Sequence, residues 1–136
     1  ELCARADVIV TIASAFEPLL ERDWIQPGTH IACMGTDTKG KQEVSADLVA
    51  NATLFTDEIA QSVSIGETQH AIAAGSISEA DITAIGEVIN GTHPGRSSED
   101  EITLFDGTGV GLQDLAVASV AVKLAEAQGK AQVVEL

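Results

Sequence analysis

The chain alternates short β-branched apolar runs with longer segments of helical period, and that alternation predicts its elements. Asp7-Val-Ile-Val-Thr-Ile-Ala13 is a continuous apolar run, the pattern of a strand covered on both faces. A short helical segment is predicted next, with Pro18 in its first turn and Leu19 and Leu20 facing inward. Pro27-Gly28 is a turn signal that delivers the chain into a central strand over Thr29 to Gly35. Ser45 caps a short helix through Ala50, and Ala52 to Thr56 is the third strand. Thr56 or Asp57 then caps a longer helix running toward Ala74, with Gly75 as its stop. Ser78 and Asp81 resemble a capping box carrying Asp in place of Glu or Gln. The helix after them presents Ile82, Ile85, Val88 and Ile89 on one face and ends at Asn90-Gly91. Thr92 to Asp100 reads as a polar surface loop, and Glu101 to Phe105 as the fourth strand. The last helix extends to about Gln128 and stops at Gly129. It is apolar nearly all round, which predicts burial on more than one side. Ala131 to Leu136 is a candidate short strand.

Strands alternating with helices imply an α/β fold with a parallel sheet and right-handed crossovers. Two strands run into glycine-containing polar loops, Gly35-Thr36-Asp37 and Gly107-Thr108-Gly109. In a parallel sheet both open at the same edge, where ligands of such sheets bind. Asp37 stands at the tip of the first loop, and Lys39 and Lys41 flank Gly40 just beyond it. Alone, an acidic residue after a strand is commonly a turn former, and the two lysines are ordinary surface charges.

Composition narrows the function classes. Twenty-one acidic residues against seven basic give a net charge of −14, a field that repels nucleic acid and anionic membrane surfaces. No apolar run is long enough to span a bilayer, and the N-terminus carries no signal-peptide pattern. Cys3 and Cys33 are too few for a disulfide framework, so the expected compartment is the cytoplasm. Cys33 reads as a buried small hydrophobe. His30, His70 and His93 lack partners at metal-ligand spacing, and no metal is expected.

Ala6-Asp-Val-Ile-Val-Thr11, Gly35-Thr-Asp-Thr-Lys-Gly-Lys-Gln-Glu43, Gly66-Glu67, Gly95-Arg96 and above all Asp100-Glu-Ile-Thr-Leu-Phe-Asp-Gly-Thr-Gly-Val-Gly-Leu-Gln-Asp114 resemble the ornithine cyclodeaminase/mu-crystallin family over nearly the whole chain. The resemblance implies NAD(P)-dependent chemistry on a small amino or imino acid, such as ornithine cyclodeamination or reduction of a cyclic ketimine. It places Asp37 on the family's catalytic aspartate, beside the substrate's Cα–N bond. It further implies that Met34, Gly35 and Thr36 line the nicotinamide, that Lys41 and Thr11 contact the cofactor, and that Thr108 faces substrate. Gly107 falls at a cofactor-facing position where relatives commonly carry Ser, and Lys39 where Pro is common.

A dinucleotide fold begins with a strand, a glycine-rich turn and a helix, and no G-x-G-x-x-G occurs here. The resemblance is therefore to the C-terminal portion of the enzyme. Residues 1–109 are expected to be the second half of a Rossmann-like NAD(P)-binding domain. Residues 110–136 are expected to be a helix and tail returning to the dimerisation domain. The strand at Asp7 to Ala13 is then expected to expose an unpaired edge, and association into a homo-oligomer, a dimer, follows. Two readings stay open: the parent is an oxidoreductase or cyclodeaminase built around Asp37, or the chain is a non-catalytic module or a mu-crystallin-like binding protein.

Overall fold

The computed structural model describes residues 2–132 and 134. Its strands are β1 (Val8–Thr11), β2 (Phe16–Leu20), β3 (His30–Cys33), β4 (Gln42–Val44), β5 (Thr53–Thr56), β6 (Ile82–Ala84) and β7 (Thr103–Asp106). Its helices are α1 (Ala46–Ala50), α2 (Ile59–Ser64), α3 (Gln69–Ala73), α4 (Ile85–Ile89) and α5 (Gly111–Ala127). Five strands form one parallel sheet in the order β1-β3-β7-β5-β6, and β2 and β4 form a separate parallel pair. The α/β architecture with a parallel sheet, read from the alternation of elements, is the one observed.

Period-two alternation puts Ile9, Ile31, Cys33, Leu54 and Leu104 on one sheet face. There they pack with Leu20, Ile25, Val44, Leu48, Val49 and Ala71 in a single core. Ser45 caps α1 as its sequence predicts, its hydroxyl accepting from the Leu48 N–H at 3.3 Å. Ser78 and Asp81 do form a capping box. It heads a 3-10 turn at Glu79–Asp81.

Several expectations are corrected. The segment carrying Pro18 is a strand, β2, not a helix. It is held against β4 at both ends, by Gln42 N to Ala15 O at 3.0 Å and Ser45 N to Leu20 O at 3.0 Å. A proline is tolerated in a strand paired on one side only. Leu20 is buried as predicted, whereas Leu19 is exposed. The strand at β3 is not central; β7 inserts between it and β5.

The long helix predicted toward Ala74 is two short ones broken at Gly66. The Gly66 N–H turns back to Gln61 O at 2.9 Å, and a Cβ there would strike Ser62 and the Asp106 carboxylate. Its cap is Glu58, which accepts from the Ala60 N–H, rather than Thr56 or Asp57. Ile82 belongs to β6, registered with Leu54 of β5, and only residues 85–89 are helical; Ile89 lies exposed.

The last helix, α5, is expected from its composition to be buried on more than one side, yet it has no buried residue. Leu112, Leu115, Val117, Val120, Val122 and Leu124 are all more than half exposed. Of the candidate strand at Ala131 to Leu136, half lies outside the described residues; Ala131, Gln132 and Val134 belong to no element. Among the described residues no helix is long and apolar enough to cross a membrane.

Candidate functional site

The site is the edge at which β1, β3 and β7 end side by side. Cys33 is registered with Thr11 on one side and Asp106 on the other. The pairing runs on past the strands, through Met34 N to Thr11 O at 2.8 Å and Gly107 N to Cys33 O at 2.9 Å. Thr11, the Met34-Gly35-Thr36 backbone and Gly107 are therefore neighbours, as the coincidence of the two loops predicts. Met34 is 42% exposed. Its thioether occupies the space into which a side chain at 107 would project: a Cβ on Gly107 would lie 2.6 Å from Met34 Sδ and Cε.

Asp37 projects from the loop after β3 with its side chain 63% exposed, ion-paired to Lys41 Nζ at 2.7 Å. Lys41 is the less exposed partner, and its ammonium also reaches Gly35 O at 3.4 Å. Hydrogen bonding from Lys41, then from Thr38, holds the Asp37 carboxyl below the usual aspartate range, so it is a carboxylate at neutral pH. The loop is fastened from α3. Gln69 Oε1 accepts from Gly40 N at 2.7 Å, and His70 Nε2 lies 3.1 Å from Lys41 O.

Below this surface lies a buried carboxylate network that the sequence reading does not single out. Glu43, on β4, is fully buried. It accepts from the Thr11 hydroxyl at 2.8 Å, from the Gly35 N–H at 3.0 Å and from the Ala13 N–H. Glu67, delivered inward by the break at Gly66, accepts from the Glu43 and Val44 N–H groups at 2.8 and 2.7 Å and from the Thr36 hydroxyl at 2.5 Å. Asp106, at the end of β7, accepts from Ser62 Oγ at 2.6 Å and Glu67 N at 2.9 Å, while its Oδ1 has no partner. Burial pushes Glu67 up, only partly offset by its hydrogen bonds, and lifts Asp106 to about 7.

Thr108 is placed differently from Thr11 and Asp37. It is buried, and its hydroxyl donates to Asp57 Oδ1 at 2.6 Å. Burial raises Asp57, but hydrogen bonds from Thr108 and Gly109 outweigh it and hold the carboxyl below its usual range. Asp57 thus stabilises the β7 loop instead of capping α2.

Cys33 Sγ and one oxygen each of Glu43 and Glu67 lie within 4.8 Å of one another, close enough to prompt a metal reading. Every one of those oxygens is already engaged by an N–H or O–H donor. Burial, reinforced by the charge of Glu67, raises the Cys33 thiol well above its usual value, opposing the thiolate a metal needs. The donor set fits hydrogen bonding better than a cation.

The residues present suit the nicotinamide end of a dinucleotide: backbone and glycine at a parallel-strand edge, an apolar Met34 surface and one exposed carboxylate. Several known relatives of the chain were solved with NAD+, NAD or NADH bound. The chain is 61% identical to the iminosuccinate reductase of Paracoccus denitrificans over 99% of its own length and 42% of that protein's. The crystal structure of that reductase in complex with NAD+ superimposes with a TM-score of 0.93. An archaeal alanine dehydrogenase dimer with bound NAD matches at 37% identity and TM-score 0.89, over 98% of this chain and 42% of that one. A Thermococcus litoralis Delta(1)-pyrroline-2-carboxylate reductase in complex with NADH and L-proline matches at 27% and 0.88, over 97% and 42%. The chain thus spans about two-fifths of the length of these relatives. With the sequence model of the Ornithine cyclodeaminase/mu-crystallin family matching residues 1–128, the chain belongs to that family.

Proposed function

We propose that the whole protein carrying this chain is an NADH-dependent imine reductase acting on iminosuccinate. The observation that carries this reading is the ionised, exposed Asp37 at the edge where Met34-Gly35-Thr36 and Gly107 meet, together with the 61% identity to an iminosuccinate reductase. When bound, the nicotinamide supplies the hydride that saturates the C=N bond. The chain's part is electrostatic and geometric. Asp37, kept as a carboxylate by Lys41, pairs with the protonated imine nitrogen. It stabilises positive charge at that nitrogen until the hydride discharges it to a neutral amine, which then takes its further proton from solvent. The Met34-to-Thr36 backbone and Gly107 are the surface proposed to receive the nicotinamide. On this reading Thr11 and Lys41 contact the cofactor and Thr108 faces the substrate.

Residues 110–136 are read as the arm that returns to a dimerisation domain, and the assembly as a homodimer. The bare apolar α5 and the exposed Val8 and Val10 on edge strand β1 support this.

The test is NADH oxidation by the whole protein with iminosuccinate formed from oxaloacetate and ammonia. Asp37→Asn is expected to lower kcat about a hundredfold with NADH binding retained. Saturable NADH quenching of Trp24 without oxidation of any imine would instead favour the binding-protein reading. In the same assay Lys41→Met is expected to shift the acid limb of the pH–rate profile upward. The sign follows from the ion pair: Lys41 depresses the Asp37 carboxyl, so removing it lets Asp37 protonate at higher pH. An unmoved limb would assign that limb to another group.

A further inference from the structure

We propose that Glu43 is a positioning residue for hydride transfer, one whose carboxylate sets the spacing between the β1 and β3 ends and so fixes the backbone that leads into Asp37; this rests on the imine-reductase reading. Glu43 comes from β4, outside the five-stranded sheet, and reaches beneath the site edge with no exposed surface. One oxygen accepts from the Ala13 N–H. The other accepts from the Thr11 hydroxyl and the Gly35 N–H. All three donors lie at the end of β1 or just past the ends of β1 and β3, beside the proposed nicotinamide surface. Glu67 braces the same corner from the other side, by holding the Glu43 N–H and the Thr36 hydroxyl.

The donor arrangement makes charge, and not shape alone, the requirement. Replacing a carboxylate by its amide puts an N–H₂ where one oxygen was. At Glu43 either orientation of the amide sets that N–H₂ against a backbone N–H, of Ala13 in one and of Gly35 in the other. A hydroxyl can turn to accept, but a backbone N–H cannot. Glu43→Gln therefore preserves volume and forces β1 and β3 apart at the site. Glu101 supplies the control. It is also a carboxylate bridging two segments, through Thr53 and Ser97, but it sits at the opposite end of the strands.

Three measurements test this. In amide NMR spectra of the whole wild-type protein, Ala13 and Gly35 are expected far downfield, as N–H groups bonded to a carboxylate are, and protected from exchange. In Glu43→Gln those two signals are expected to move upfield, with changes continuing through Thr36 and Asp37; in Glu101→Gln the changes stay near residues 53 and 97–103. In the whole protein Glu43→Gln is expected to lower kcat about a hundredfold, as a misplacement near 1 Å does, with substrate KM little changed and Glu101→Gln close to wild type. Ordinary wild-type positions for Ala13 and Gly35 would overturn the proposal, even where the variant fails to fold. So would a Glu43→Gln kcat equal to that of Glu101→Gln. A wild-type protein that reduces no imine defeats the functional reading and the kinetic role with it. The NMR arms would still show whether Glu43 fixes the loops.

Discussion

Raising the pH from about 4 to about 8 is expected to remove about 4 kcal/mol of stability through Asp106 alone, and Asp106→Asn to abolish that loss. The carboxyl is fully buried at the end of the central strand, and burial lifts it from the model-peptide value near 4 to about 7. In the unfolded chain it ionises near pH 4, whereas in the fold it keeps its proton until about pH 7. The folded state therefore binds more protons throughout that window, and stability falls as pH rises. The contribution is complete below about 4, declines at about 1.4 kcal/mol per pH unit and is gone above about 7. Glu67, also raised by burial, adds a loss of the same sign. Asparagine keeps an oxygen for the Ser62 hydroxyl and the Glu67 N–H and has no charge to desolvate. Urea midpoints at about pH 4 and about pH 8 decide the matter. The two proteins should be similar at the lower pH, and the variant more stable by several kcal/mol at the higher. The general self-repulsion of a chain at −14 acts on both, so their difference isolates residue 106. Parallel pH profiles would show that Asp106 is ionised, or solvated, in the fold.

How far the sequence discloses this arrangement depends on whether each feature is local. The four strands β1, β3, β5 and β7 are legible because β-branched runs bounded by turn residues have few alternatives. Asp37 and Lys41 are each singled out from the sequence, but their ion pair is not read there; the structure closes it within one loop, across four residues. By contrast, β2 is invisible as a strand: Phe-Glu-Pro-Leu-Leu has no alternation, and its conformation comes from a three-residue partner, β4, some twenty-five residues on. Ile82 fits the apolar face of the following helix as well as it fits β6, and only its pairing with Leu54 decides.

The buried carboxylates were hidden by a sound prior, that acidic residues lie at the surface unless paired. Glu67 nevertheless left a trace, because a Gly-Glu pair interrupts a helical pattern that otherwise continues to Ala74. Asp106 left another, since it ends an apolar strand bordered on both sides by other strands. The bare faces of α5 and β1 are the converse case. Their apolar composition predicts burial, and among the described residues nothing buries the α5 side chains or Val8 and Val10.

Gly35→Ala is expected to destabilise the fold by about 3 kcal/mol, the upper end of ordinary overpacking, and to abolish nicotinamide binding where Gly107→Ser spares the fold. Both glycines are small for lack of room, but what surrounds them differs. A Cβ at Gly35 would collide with the backbone N and O of Ala13 and with Glu43 Oε1. Ala13, just past β1, is held by its N–H to Glu43, and Glu43 is held by Thr11 and by the Gly35 N–H itself. Neither neighbour yields without breaking a buried hydrogen bond, and a donor left unmade in the core costs about 1–3 kcal/mol. A Cβ at Gly107 would collide with the thioether end of Met34 and sit tight, at 3.3 Å, against the edge of the Phe105 ring, both of them side chains. Methionine has three rotatable side-chain bonds and is already 42% exposed, so it swings aside at a cost below about 1 kcal/mol. That movement redraws the surface offered to the cofactor without loosening the strand ends. Chemical denaturation with NADH titration of each variant separates the two cases: Gly35→Ala should lose both stability and affinity, Gly107→Ser affinity alone or neither. Equal denaturation midpoints for the two variants would mean that the β1 and β3 ends yield as readily as a methionine side chain, and that the carboxylate beneath them does not hold the edge in place.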